Sequence, residues 1–175
     1  MFNFKFNITA IKIILLLLLL TFFLPFFAVS CGANDPGANF SGFEISTGKN
    51  IGGTWYSGNP LGFILIIPPL ILFIFSFVLH KINKISIYNI LKTVFFIAPI
   101  FDIFVVFILR YAFKAAVIQK LYAQSVQSDN TLFSRGISEL AKITEVHIKS
   151  GFVIYIILNI AVFFFAAINY FIKRE

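Results

Sequence analysis

The chain has 175 residues, of which 59% are hydrophobic and only 12% charged, with a mean hydropathy of +0.95. That leaves too little polar surface to cover a soluble globule of this length, so the composition specifies a membrane protein. The net charge of +7 fits contact with anionic lipid headgroups on the cytoplasmic face. It does not fit a nucleic-acid partner, because no basic cluster with interleaved aromatics lies in a soluble segment.

Four apolar blocks follow one another, at about Ile11–Ser30, Leu61–Leu79, Thr93–Phe113 and Gly151–Ile172. Each reaches the roughly 20 residues that a helix needs to cross about 30 Å of hydrocarbon. A bilayer offers backbone groups no partners, so uncharged blocks of this length read as helices. None alternates in the manner of a barrel strand. The expected fold is therefore all-α: one integral membrane domain over residues 1–175, with four transmembrane helices and outer loops at 31–60 and 114–150. Lys5 and Lys12 precede the first helix and only Lys49 follows in the next loop, which orients both termini towards the cytoplasm of a bacterial cell membrane.

The first block ends in "AVSC". Lys5 and Lys12, the run "IILLLLLLTFFLPFF" and the small residues before Cys31 satisfy the outline of a secretory signal, and resemble a relaxed lipobox in which Cys31 is lipidated after cleavage. A lipid anchor adds little where three further spans follow, so a retained helix with Cys31 at its outer end is the preferred reading. Cleavage before Cys31 stays open as an alternative. One Cys excludes an intrachain disulfide and a C-x-x-C redox site, leaving a boundary residue or a bridge between two copies in a homo-oligomer.

The first outer loop holds Gly32, Gly37, Gly42, Gly48, Gly52, Gly53 and Gly58, a density that marks turns. "GFEISTGKN" fails as a phosphate loop. Its glycines enclose five residues instead of four, Asn50 stands where the metal-binding Ser or Thr belongs, and no strand precedes it. Asn39, with Phe40 and Ser41, makes a glycosylation sequon that matters only in a eukaryotic source. Interspersed Phe40, Phe43, Ile45, Ile51, Trp55 and Tyr56 suggest a small folded cap resting on the bilayer interface, with a β-hairpin that uses "FSGFEIST" as one strand.

These features resemble a group of uncharacterised small bacterial four-helix membrane proteins. In these a first helix ends in Ser-Cys, here Ser30 and Cys31, and the outer loop carries a Ser-Gly-aromatic-x-x-x-Thr-Gly motif, here Ser41, Gly42, Phe43, Thr47 and Gly48. Gly151 and Phe152 match at the entry to the last helix. The resemblance implies a four-span protein with an ordered outer loop and implies no activity.

Between the third and fourth blocks, Val117, Ile118, Leu121 and Tyr122, then Ile137, Leu140 and Ile143, keep helical spacing about a "QSDN" turn. The expectation is a helical hairpin continuing both spans outward, its stripe packed on the first loop or presented to a partner protein. Within the spans, Asp102 and Asn159 fall at similar depth on antiparallel helices and come within hydrogen-bonding reach. A buried Asp102 that pins two helices is the plainer reading; a proton- or cation-handling site is the sharper one. Pro25, the Pro68 and Pro69 pair, and Pro99 are expected to kink helices one to three. His80 and His147 sit at opposite membrane faces and share no metal or haem. No hydrolase, zincin or paired-carboxylate pattern occurs, so no cofactor and no catalysis are expected. The reading of function is a non-catalytic accessory or scaffold subunit that binds another membrane or envelope protein through its outer loop and hairpin. A small transporter or channel component built on Asp102 is the alternative.

Overall fold

The computed structural model describes residues 4–31, 37–51, 54–78, 85–126, 135–136, 139 and 142–171. In chain order it contains α1 (Phe4–Thr21), β1 (Pro25–Cys31), β2 (Ala38–Ser41), α2 (Gly42–Thr47), β3 (Gly48–Ile51) and β4 (Thr54–Ser57). A 3-10 helix (Pro60–Leu65), α3 (Ile67–Val78), α4 (Ile85–Val126), β5 (Thr144–Ile148) and α5 (Ser150–Phe171) follow. The protein is mostly helical, but five strands in two sheets overturn the all-α expectation. Among the described residues two helices, not four, are long and apolar enough to cross a membrane: α4 within Asn89–Lys120 and α5 within Ser150–Ile168.

The departure from the four-span expectation begins at Pro25. Helix α1 tightens into i→i−3 bonds at its end, with Leu24 N–H donating to Thr21 O at 2.9 Å. Pro25 has no N–H to continue the helix and disfavours helical backbone at Leu24, so the chain extends. "PFFAVSC" is then a strand, not the last turns of a span. It is the middle strand of an antiparallel sheet ordered β2-β1-β5, with Ala28 opposite both Asn39 and His147. A bulge between Pro25 and Phe27 adds a residue to β1 and re-aims its side chains, and Phe26 and Phe27 are both 0% exposed. A strand buried in this way reads as a continuous apolar run, which hydropathy does not separate from a helix.

The second apolar block also divides. Pro68 and Pro69 lie in the first turn of α3, where a missing N–H is tolerated, and a 3-10 helix precedes them. The third block lies inside α4, whose 42 residues extend roughly 63 Å, about twice the hydrocarbon thickness. Pro99 stands within this continuous helix, whereas Pro25 opens a strand. Strand β5 occupies the stretch expected to complete the outer helical hairpin; Ile137 and Leu140 lie outside the described residues. "FSGFEIST" is not one strand: its first two residues end β2 and the rest form α2. The hairpin is β3–β4, with Lys49 opposite Tyr56.

Helix α1 packs against α3 and α5, and α4 packs against the same two. Both sheets gather at one end of this layer, on the C-terminal end of α1 and the N-terminal ends of α3 and α5, as a cap. A cluster of rings locks cap to helices: Phe27 stacks on Phe113 at 5.4 Å and meets Phe152 at 5.5 Å, while Phe40 meets Phe113 edge-on at 5.2 Å. A second core, with Leu15, Leu72, Phe95 and Val162, fills the far end. Outward faces are apolar on every long helix, with Leu20, Ile74, Phe104 and Ile157 all exposed, the inverse of a soluble protein's surface.

Because Phe27 is enclosed on all sides, Phe27→Ala is expected to lower stability by about 3–5 kcal/mol. Phe43→Ala, at an exposed ring, should change it by no more than about 0.5 kcal/mol. Equilibrium unfolding in mild detergent measures both.

Candidate functional site

The first candidate site lies where α3, α4 and α5 meet below the cap. Pro68 and Pro69 cannot donate to the carbonyls four residues earlier, Ile64 and Leu65. The Tyr155 hydroxyl, on α5, donates to Leu65 O at 2.7 Å and replaces the lost donor. Tyr155 is enclosed, with Phe26 packed on its ring at 5.5 Å. Asp102 of α4 lies within electrostatic range of this hydroxyl. The Asp102 residue is 1% exposed, and neither carboxylate oxygen has a hydrogen-bond partner. An ionised carboxylate without partners in such surroundings is very costly.

Asn159 is buried at the same level, but the expected Asp102–Asn159 bond does not form. The Asn159 Nδ2 donates instead to Tyr155 O, one turn back on its own helix, at 3.1 Å. Tyr155 is the member that sequence reading passed over. Its signal was a phenol inside an apolar block, a group that needs a hydrogen-bond partner when buried.

The cap supplies the second site. Residues Ser41, Gly42, Phe43, Thr47 and Gly48 come together here as a structural unit. Ser41 caps α2: its Oγ accepts from Glu44 N–H at 3.1 Å, and Glu44 Oε2 accepts from Ser41 N–H at 2.8 Å. This is a capping box with the S-x-x-E spacing of "SGFE", a signal that the strand reading of these residues passes over. Phe43 N–H donates to Phe22 O at 3.1 Å, satisfying a carbonyl just past the end of α1. Gly42 allows that approach, because a Cβ there would stand 2.6 Å from the Phe22 ring. Gly48 has φ +102°, a conformation that only glycine adopts readily, and turns the chain from α2 into β3. Thr47 Oγ1 donates to Phe43 O at 2.9 Å.

Lys49 Nζ pairs with Glu44 Oε1 at 2.8 Å and donates to Asn39 O at 2.7 Å. Burial pushes the Glu44 carboxyl up, but Lys49 and the Ser41 N–H outweigh it and hold the carboxyl below its ordinary value of 4.5. Between cap and α4 lies a half-open cavity of about 400 Å³, with Phe40, Ile45, Leu109, Phe113 and Val117 as apolar walls and Tyr56, Glu44 and Lys120 among its polar ones. Lys120 Nζ donates to Trp55 O at 2.9 Å and lies 4.5 Å from the Tyr56 ring centre.

Cys31 ends β1 opposite Thr144, so the residue expected at the outer end of a helix ends a strand. Its neighbour Ser30 is buried, and Ser30 Oγ lies 2.9 Å from His147 Nε2. Glu145 Oε2 approaches the same nitrogen at 3.6 Å. A nucleophile triad needs the acid on the other ring nitrogen, where it orients the base; here the acid competes with the serine. His80 lies outside the described residues, and among those described no group of three or more His, Cys, Asp and Glu could hold a metal. Comparison with protein-family models, with curated proteins and with solved structures finds no match.

Tyr155→Phe leaves the Leu65 carbonyl without a donor and is expected to cost about 1–2 kcal/mol, read by unfolding in detergent. For Glu44 the sign follows from a folded value below the unfolded one. The cap's extra stability is fully present above pH 4.5 and is lost as pH falls through the lowered folded value. The protection factor of the α2 amides, the intrinsic exchange rate divided by the observed rate at each pH, should fall on acidification in the native chain and show no such step in Glu44→Gln.

Proposed function

We propose that this chain is a non-catalytic integral membrane protein, an accessory or scaffold subunit that binds another membrane or envelope protein through its cap and the projecting part of α4. The observation that carries this reading is the cap itself. Two sheets, a capping box and an interlocked ring cluster build a fixed platform at one end of an apolar helix layer, and the platform exposes Trp55 at 59% beside the half-open cavity. Exposed aromatics on a rigid support are the residues from which binding hot spots are made. Tyr122, also exposed, extends the surface along α4 beyond the cap.

In this reading α4 and α5 cross the cytoplasmic membrane of a bacterium, and the cap lies on the outer side. The first helix is retained. Cleavage before Cys31 would remove α1 and all of β1 except Cys31, leaving β2 and β5 without the strand that joins them. Mature protein with an intact mass that includes the first 30 residues is the expected outcome; a species beginning at Cys31 with added acyl mass overturns it.

A transporter or channel component built on Asp102 is a second reading, favoured by one observation: both carboxylate oxygens are buried and unpartnered. Asp102→Asn separates the two. Under the scaffold reading it leaves the composition of the detergent-purified complex unchanged and abolishes no flux. Loss of proton or cation movement in proteoliposomes, with the complex intact, favours transport. Trp55→Ala with Tyr122→Ala should cost a stoichiometric partner at least tenfold in recovery, about 1.4 kcal/mol or more.

A further inference from the structure

The cavity under the cap has a composition that the scaffold reading does not use. Its walls at Phe40, Phe113 and Val117 are apolar, and its volume of about 400 Å³ falls within the ~300–1,000 Å³ of sites that enclose small ligands. Two charged side chains line it, and they are not equivalent. Glu44 is neutralised by Lys49 at 2.8 Å. Lys120 has a carbonyl and a ring as neighbours but no carboxylate among the described residues, so the cavity carries one uncompensated positive charge.

The position of the cavity narrows the choice of occupant. Leu109 and Phe113, in its lining, belong to the apolar part of α4, whose neighbours Ile108 and Tyr111 are exposed. Trp55, next to the lining residue Tyr56, and Tyr111, on α4 between the lining residues Leu109 and Phe113, are both exposed and are the residue types that settle at headgroup level. A largely apolar cavity therefore adjoins the apolar part of a candidate span and has a lysine in its lining.

We propose that this cavity holds one acyl chain of an anionic phospholipid, with the phosphate of its headgroup on the Lys120 ammonium. The chain replaces water against Phe40, Phe113 and Val117, and each CH₂ it buries is favourable. The ammonium retains donors beyond the one given to Trp55 O, and a phosphate oxygen accepts from them. The inference rests on the membrane reading above and is independent of any protein partner.

Trp55, the one tryptophan in the sequence, adjoins Tyr56 in the wall and reports the test. The full chain is reconstituted into phosphatidylcholine vesicles that contain an equal minor fraction of either brominated phosphatidylglycerol or brominated phosphatidylcholine. Brominated phosphatidylglycerol should quench Trp55 about fivefold more effectively, the ratio that one lysine supplies against an anionic lipid. Lys120→Gln should bring the ratio to about one, Lys120→Arg should keep it, and Ala116→Phe, which adds a ring to the lining, should reduce quenching by both lipids. Equal quenching of the native chain by the two lipids, or a preference that survives Lys120→Gln, overturns the proposal while leaving the membrane reading standing. A chain that does not float with the vesicles overturns both.

Discussion

The two-sided pairing of β1 is the constraint on which the rest of the molecule depends. Seven residues, Pro25–Cys31, leave the end of α1 as extended chain, and their backbone groups must find partners outside their own segment. They find them on β2 along one edge and β5 along the other. These strands come from opposite halves of the sequence, so the pairing ties the first outer loop to the segment that enters α5. The Phe26 and Phe27 side chains then carry the tie inward, onto Tyr155, Phe152 and Phe113. Helix layer and cap are one cooperative core at this point, not a membrane part with a loop attached.

The polar groups beneath the cap follow from the same economy. Two adjacent prolines start α3 and deprive the preceding turn of two donors. One freed carbonyl, at Leu65, is recovered by Tyr155 across the layer, which fixes where α3 begins relative to α5. Asp102 sits beside this repair without a hydrogen bond of its own. The transport reading is attached to it because its carboxyl oxygens are the buried side-chain polar atoms left unpartnered among the described residues.

The cap's short motif is a fold device. Ser41 and Glu44 stop the backbone amides of a six-residue helix from going unpaired, Gly42 lets that helix sit on Phe22, and Gly48 turns the chain away from it. Lys49 completes the unit by neutralising the capping acid. Under the proposed scaffold role, the binding surface is the one this unit supports: Trp55, the projecting turns of α4 and the cavity lined by Lys120. Ordering that surface in advance removes an entropic cost that a flexible loop would bring to any complex.

Composition and block length determined that the chain is built to meet apolar surroundings, and they located α5 to within a residue at each end, but the block Thr93–Phe113 falls short of α4's apolar stretch, Asn89–Lys120. They also singled out Asp102 and Asn159, because a polar residue inside an apolar run is conspicuous without any structure. The Ser41–Glu44 spacing is passed over when "FSGFEIST" is read as one strand, and the motif that carried the resemblance has a local, physical meaning as a helix cap. Tertiary structure alone decided that "PFFAVSC" is a strand, since a doubly buried strand and a membrane helix present the same continuous hydrophobicity. It alone paired that strand with "TEVHI", more than a hundred residues away, and placed Tyr155 on Leu65. Hydropathy is a property of each segment by itself. Strand pairing, the rescue of an orphaned carbonyl and the enclosure of a cavity belong to segments brought together, and no window along the sequence contains both partners.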